Sequence, residues 1–199
     1  MNLADKSQAV LNLFGDLEEE SKLFTSKSGL GCLNGCGACC SKPEVSASAL
    51  EFLPLAFDLY KKGLAESSLE LLDKEGEGAS CLMYKSHSLD GKMGFCGNYS
   101  NRGMICRLFG ASYRKNKYGQ KDIITCKILK ENKEEAFLKA SISINDELPI
   151  PNATKYYMHL EEIDEALCRQ VPINLAIGRA LELVLRFKFY EEEEIEVLT

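Results

Sequence analysis

Four cysteines lie within nine residues near the start of the chain, in the run "GCLNGCGACCSK" at 31–42. Thiolates are soft ligands that select zinc, copper(I) or iron–sulfur clusters. Gly35 and Gly37 allow tight turns that aim amide N–H groups at sulfur. The run therefore predicts a metal site, against the alternative of redox-active or simply reduced thiols. Its candidate ligands, with the spacing C-x3-C-x2-C-C, are Cys32, Cys36, Cys39 and Cys40.

The adjacent pair Cys39–Cys40 bears on which metal is bound. We expect neighbouring side chains to diverge, so two ligands on one small ion would be strained. The pair then faces different irons or different sites, or one of the two lies outside the ligand set. A structural zinc site takes four ligands in a tetrahedron, whereas the ligand spacing of cubane clusters varies more. The pattern favours an iron–sulfur cluster, of the 4Fe–4S type, over zinc.

A second set of cysteines is spread through an irregular region: Cys81, Cys96, Cys106 and Cys126. We expect this region to meet the loop at 32–40, with metal joining two segments that pack poorly alone. Cys126 lies in "KDIITCKIL" at 121–129, which predicts a strand, and it is open between ligand and core residue. Cys168 follows a helical pattern and is predicted to be structural. Eight clustered cysteines exceed one zinc site.

Nine cysteines in all, an odd number, fit a disulfide framework poorly. The start of the chain has no basic stretch followed by an apolar run, so we expect no signal peptide. Charges in the longest apolar stretch, at 171–190, argue against a membrane span. We therefore expect a cytoplasmic protein, in which thiols are kept reduced.

The charge is uneven along the chain. Its net charge is −6, yet residues 81–121 contain eight lysines and arginines against Asp90 alone. Arg102 and Arg107 flank Cys106, and two interpretations of them stay open. They hydrogen-bond to loop carbonyls, or they compensate thiolate charge and bind an anionic cofactor or substrate in a pocket open to solvent. The basic stretch at 113–121 is interpreted as a solvated hairpin tip rather than a nucleic-acid surface, because the whole chain is acidic.

Helical periodicity frames this cysteine-rich middle. Helices are predicted over 3–25, 49–62 (kinked or divided at Pro54), 65–74 and 132–140, with two more closing the chain, the last from Pro172. The segment at 80–128 is polar and irregular, and its elements are predicted to be short, with a hairpin turn at 89–92. The fold class is mostly α with an irregular cysteine-rich α+β middle. We expect one small metal-stabilised domain over 1–199, with a metal-binding region at 30–126 and flanking helices in 1–29 and 127–199.

The cysteine pattern resembles the YkgJ-type cysteine-cluster family of zinc- or iron-chelating domains. The run at 32–40 carries the first part of the resemblance. The second part is carried by Cys81, Cys96, Tyr99, Arg102, Cys106 and Arg107. Gly103 stands where the family usually has proline. The resemblance implies metal binding, and a related type, the flagellin lysine N-methylases, implies S-adenosylmethionine (SAM) as a second cofactor.

The sequence therefore predicts a metal-binding protein that holds an iron–sulfur cluster or zinc through cysteine thiolates. One alternative is a SAM-dependent protein-modifying enzyme similar to the lysine N-methylases. Another is an electron-transfer or metal-stapled interaction module. The expected partners are the metal, with an anionic small molecule or a protein as substrate, and neither nucleic acid nor a membrane. No catalytic residue is assigned.

Overall fold

The computed structural model of the chain describes residues 1–76, 78–90 and 93–197, with side chains as far as Glu191. It begins with a long helix, α1 (Leu3–Ser28), as the periodicity predicts. Asn2 and Asp5 form a capping box, in which the Asn2 side chain accepts the Asp5 N–H at 2.8 Å. The helix ends at Gly29, whose φ of 68° lies in the left-handed region that a side chain disfavours.

Helix α1 and four further helices surround the larger core. The four are α2 (Leu53–Lys61), α3 (Ala65–Glu75), α7 (Ala153–Ile163) and α8 (Ile173–Val197). A 3-10 turn at Leu50–Phe52 precedes α2, and Pro54 stands in the first turn of that helix. Pro54 therefore divides the predicted helix, because proline lacks the N–H that a continuing helix would use.

The middle of the chain consists of short elements. Strands β2 (Tyr84–Ser86) and β3 (Gly94–Cys96) pair antiparallel, with Tyr84 opposite Cys96. A 3-10 turn at Tyr99–Asn101 leads into the short helix α4 (Met104–Leu108). A second hairpin follows from β4 (Ser112–Lys115) and β5 (Lys121–Ile124). The turn predicted at 89–92 includes Gly91 and Lys92, which lie outside the described residues.

A smaller core lies beside the far end of α1. Helices α5 (Lys127–Asn132) and α6 (Glu134–Ser143) cover it. Its buried members include Phe24 of α1, together with Ile123 and Leu129. Since Val10 and Phe14 belong to the larger core, α1 contributes to both. The two cores place the cysteine-rich middle between helices from both ends of the chain.

Two predicted boundaries are wrong. The strand predicted over 121–129 ends at Ile124, and α5 begins at Lys127. Helix α8 begins at Ile173 rather than at Pro172, because Pro172 belongs to β6 (Val171–Pro172). That strand pairs antiparallel with β1 (Ser46–Ala47), which comes directly before the turn at Leu50–Phe52.

The predicted fold class is confirmed: the chain is mostly helical, with a small α+β middle. Within the described ranges, no helix is long and apolar enough to cross a membrane.

Candidate metal centre

The cysteine run occupies a tightly turned loop between α1 and β1. Gly35 has a φ of 72°, a left-handed conformation that glycine adopts without steric cost. The Cys36 N–H donates to the Leu33 carbonyl at 3.2 Å, and the Ser41 N–H donates to the Gly37 carbonyl at 2.9 Å. These turns bring the four cysteines of the run close together, as their spacing predicts.

The loop is hydrogen-bonded to the second cysteine-rich segment. The Cys81 N–H donates to the Cys40 carbonyl at 2.9 Å, and the Gly94 N–H donates to the Gly35 carbonyl at 3.0 Å. Cys36 also forms an isolated antiparallel bridge with Met93. The two regions that the sequence expects to meet are therefore in direct backbone contact.

Tyr84 is a site residue that the sequence analysis missed. Its ring packs closely over both Gly37 and Gly94, and a Cβ atom at either glycine would overlap it. Because Gly37 has no side chain, the aromatic ring of Tyr84 can approach its backbone closely. This is in addition to any role of Gly37 in orienting amide groups toward sulfur. An available signal was the position of this tyrosine three residues after Cys81.

The adjacent cysteines converge, and the expectation that their side chains diverge is wrong. The sulfurs of Cys39 and Cys40 lie 3.9 Å apart, because a turn at 38–41 places both on one side of the loop. A hydrogen bond between the two thiols lowers the pKa of Cys39 to about 6, with help from local amide groups and the charge of Arg102. The same hydrogen bond, together with burial, raises the pKa of Cys40.

Five thiols from separate segments lie near enough to shift one another's pKa values. Burial raises the pKa of Cys106, and the charges of Cys81 and Cys39 raise it further. Burial likewise raises the pKa of Cys81 to about 11, with contributions from Cys96 and Cys39. The pKa of Cys40 responds to Cys106 and Cys81 in the same way. We call this set the central thiol group: Cys39, Cys40, Cys81, Cys96 and Cys106.

The remaining three predicted ligands form a second set, the outer thiol group: Cys32, Cys36 and Cys126. Burial raises the pKa of Cys32, and the charges of Cys39, Cys36 and Cys126 add to the effect. Cys126 is not in a strand as predicted. It stands at the start of α5, where its sulfur accepts the Leu129 N–H at 3.3 Å and caps the helix. Cys39, a member of the central thiol group, therefore also lies near Cys32 of the outer thiol group.

Backbone amides point at several of these sulfurs. The N–H groups of Met83 and Tyr84 lower the pKa of Cys81 against the effect of burial. The Asn98 N–H does the same for the pKa of Cys96. Hydrogen bonds to sulfur favour the thiolate, which is the form that binds metal. The local turns after Cys81 and Cys96 are therefore built to hold a negatively charged sulfur.

Arg102 lies beside the central thiol group. Its guanidinium stacks on the exposed ring of Tyr99 at 3.9 Å from the ring centroid. Its positive charge lowers the pKa of both Cys39 and Cys96, although burial makes the larger, opposite contribution to the pKa of Cys96. The Arg102 Nε atom is buried and has no hydrogen-bond partner among the residues that the structure describes. The contacts of this arginine match the interpretation that it compensates thiolate charge.

Arg107 has different contacts. It is 7% exposed, and its guanidinium donates to Glu18 of α1 at 3.0 Å and to the carbonyls of Ser100 and Arg102 at 2.5 and 3.1 Å. It also lies over the ring of Phe14 at 4.5 Å. These contacts match the other interpretation, hydrogen bonding to loop carbonyls, and they tie the loop before α4 to α1.

Glu51 is the second residue that the sequence analysis missed. Its carboxylate is fully buried and accepts the Ser48 N–H at 2.7 Å, the Ser48 hydroxyl at 3.1 Å and the Ile105 N–H at 2.9 Å. Burial raises its pKa. It therefore joins the turn before α2 to the first turn of α4, which carries Cys106. The spacing Ser-x-x-Glu, typical of a capping box, was a usable signal.

Gly103 is explained by the same contact. A Cβ atom there would lie 2.7 Å from Phe52 Cζ and 2.9 Å from Glu51 Oε2. A proline, which the family resemblance favours at this position, would have to displace both side chains. The φ of −63° at Gly103 suits proline, so the neighbours and not the backbone require glycine here.

Other residues considered in the sequence lie nearby or apart. The His87 ring stacks on Phe95 and lies next to Gly35 in the cysteine loop. Cys168 is half-buried and packs against the larger core, and burial raises its pKa to about 12. Arg114 and Lys115 are exposed at the hairpin β4–β5.

The donor set suits a soft metal, because eight thiols lie in two neighbouring groups with amide donors and one cation beside them. In the ranges that the structure describes, no three His, Cys, Asp or Glu side chains stand close enough to hold one ion between them. The thiols shift one another's pKa values, but they do not surround a common position. A single metal ion could bind here only after side chains rotate; otherwise the bound group must be larger than one ion.

Comparison with known proteins bears on the same residues. Residues 31–127, slightly less than half of the chain, match the family model "CxxCxxCC: Putative zinc- or iron-chelating domain". The match includes all eight predicted ligands and confirms the resemblance to a cysteine-cluster family. It supports metal binding by this region. Neither the curated proteins nor the solved structures contain a match to the chain.

Proposed function

We propose that the region at 31–127, which matches the zinc- or iron-chelating family, binds an iron–sulfur cluster through the central thiol group. The observation that carries the proposal is that five thiols from different parts of the chain lie near enough to shift one another's pKa values. The loop supplies Cys39 and Cys40, the hairpin β2–β3 and the turn before it supply Cys81 and Cys96, and α4 supplies Cys106. Such a grouping of soft donors is typical of thiolate metal sites.

The choice of a cluster over zinc rests on the number and spread of the thiols. Zinc is saturated by four ligands in one tetrahedron with Zn–S distances of about 2.3 Å. The central thiol group has one thiol more than that, and its members are not gathered around a single point. The sulfurs of Cys39 and Cys40 lie 3.9 Å apart, which would also suit two ligands of one ion. The choice of a cluster over zinc therefore rests on the spread of the whole central thiol group.

The outer thiol group belongs to the same proposal. Cys32 has Cys36, Cys126 and Cys39 as neighbours, so the outer thiol group lies beside Cys39 of the central thiol group. We propose that the three thiols of the outer thiol group hold a second metal. Its position beside the smaller core would join the cysteine loop to α5, because Cys126 begins that helix.

The residues around the thiols prepare them for metal. Amide N–H groups at Cys81 and Cys96 and the guanidinium of Arg102 stabilise negative charge on sulfur. Glu51 fixes the start of α4 and thereby the position of Cys106. When bound, an iron–sulfur cluster supplies one-electron transfer or a Lewis-acid iron. SAM as a cofactor, an anionic or protein substrate and an enzymatic reaction stay predictions from the sequence and the family resemblance.

Anaerobic purification followed by iron, sulfide and zinc analysis tests the proposal. We expect about four irons and four sulfides per chain for each cubane cluster, with a brown colour and a broad visible absorption. Colourless protein with stoichiometric zinc would overturn the choice of a cluster and keep the chelating function. Protein without any metal under reducing conditions would contradict both.

Matched cysteine variants assign the ligands. Cys81→Ser and Cys106→Ser should lose the metal of the central group, whereas Cys36→Ser should lose only the metal of the outer group. Cys168→Ser is the control, because that thiol packs against the core and belongs to neither group. Metal content that falls equally in Cys168→Ser, or is unchanged in Cys81→Ser, would contradict the assignment.

A further inference from the structure

A cavity of about 290 Å³ lies between α8 and the turn that joins α7 to β6. Its walls include Arg169 and Leu167 from the turn, and Arg179 and Leu183 from α8. Sites for small molecules usually measure about 300–1,000 Å³, so this cavity suits a small ligand. None of its lining residues belongs to either thiol group.

The lining of the cavity carries a net positive charge. Arg169, Arg179 and Arg186 line it together with a single carboxylate, that of Glu182. The lining residues on α8 follow the spacing i, i+3, i+4, i+7: Arg179, Glu182, Leu183 and Arg186. One stripe of that helix therefore faces the cavity. Like charges gathered around one space repel one another unless an anion lies between them.

The three arginines have no partner among the described residues. None of their side chains makes a hydrogen bond, ion pair or ring contact there, and the Glu182 side chain makes no ion pair. Arg107, in contrast, makes three hydrogen bonds. Arg179 is half-buried, so part of its hydration is lost without replacement by protein groups.

We infer that this cavity binds a small organic anion, a carboxylate or a phosphate monoester carried on a short apolar body. The planar guanidinium group matches the geometry of both anions, since it donates two parallel N–H bonds. Leu167, Leu183 and Ala49 provide apolar wall for the rest of the molecule. This site is separate from the proposed metal-binding function and does not depend on it.

Calorimetric titration of the metal-loaded protein tests the inference, with hexanoate, hexyl phosphate, inorganic phosphate and hexanol as probes. We expect saturable binding of hexanoate or hexyl phosphate, weaker binding of inorganic phosphate and no saturable binding of hexanol. The tighter of the first two distinguishes a carboxylate ligand from a phosphate ligand. Equal affinity for hexyl phosphate and inorganic phosphate would overturn the role given to the apolar wall.

Arginine variants locate the binding. Arg179→Ala should weaken binding at least about tenfold, the effect of losing a charge-assisted hydrogen bond, and Arg179→Lys should restore only part of it. Arg186→Ala, at an exposed position, keeps the test decisive if the first variant folds poorly. Lys155→Ala removes one exposed charge on α7 as the control and should bind as the unaltered chain does. Absence of saturable binding of both organic anions, or unchanged affinity in both alanine variants, would overturn the inference.

Discussion

Replacing Glu51 by alanine removes the acceptor that joins the turn before α2 to α4. The carboxylate is fully buried and accepts two backbone N–H groups, from Ser48 at 2.7 Å and from Ile105 at 2.9 Å, besides the Ser48 hydroxyl. Each buried donor left without a partner costs about 1–3 kcal/mol. The two amides together therefore cost about 2–6 kcal/mol, partly offset because a carboxyl group no longer has to be desolvated. We expect Glu51→Ala to lower the free energy of unfolding by about 3 kcal/mol.

Urea unfolding of the metal-loaded protein, followed by circular dichroism, measures this loss. With a denaturant slope of about 2–3 kcal/mol/M, the midpoint should fall by about 1 M. Glu51→Gln keeps one acceptor oxygen and should lose about half as much free energy, or roughly 1–2 kcal/mol.

The matched control is Glu70→Ala on α3. The Glu70 side chain is 71% exposed and lies 3.9 Å from Lys74, so its loss should change stability by less than about 0.5 kcal/mol. If Glu51→Ala unfolds at the same urea concentration as Glu70→Ala, the buried carboxylate does not hold α4. The account of how Cys106 is positioned would then be wrong.

Three further substitutions test separate parts of the structure. Gly37→Ala should destabilise the cysteine loop by about 1–3 kcal/mol, because its Cβ would overlap the Tyr84 ring, whereas Gly15→Ala, with open space on α1, should be neutral or stabilising in the same thermal-unfolding assay. Arg107→Ala should lower the unfolding midpoint and leave metal content nearly unchanged; loss of metal measured by elemental analysis would show that this arginine supports the thiols directly. Asp164→Asn tests the pH dependence of stability: a lysine of α1 lowers the Asp164 pKa, so the ionised form stabilises the fold. The stability difference between the two proteins should be complete above about pH 3.9, the ordinary aspartate pKa, and should shrink as the pH falls through the lower folded-state pKa; a difference that grows toward acid would contradict this.

Local patterns in the chain were sufficient to predict its longer helices and its thiol-rich middle, but not α4 or α5. The apolar spacing of α1 and the position of Pro54 predict where helices form and where one is divided, since both depend on residues within a few positions of each other. The concentration of cysteines among glycines, in the order that the family model describes, predicts thiolate metal binding. These conclusions need no knowledge of distant contacts.

Distances between thiols depended on the tertiary structure. Sequence spacing suggested that Cys39 and Cys40 diverge, but a turn at 38–41 brings their sulfurs to 3.9 Å. Cys126 appeared to belong to a strand, but its sulfur caps α5 as a member of the outer thiol group. Backbone hydrogen bonds place the cysteine loop beside the segment that carries Cys81, although the two lie tens of residues apart.

The amino-acid sequence by itself determined the type of fold and the soft, thiol-rich chemistry, because propensity, periodicity and ligand type are properties of the residues. Only the tertiary structure decided which groups stand next to the thiols. It placed Arg102 beside Cys39 and Cys96, and it turned Arg107 toward α1, although both arginines flank Cys106 in the sequence. The physical reason is that a side chain's partners depend on how separate segments pack, and a buried guanidinium or carboxylate takes whichever partners that packing supplies.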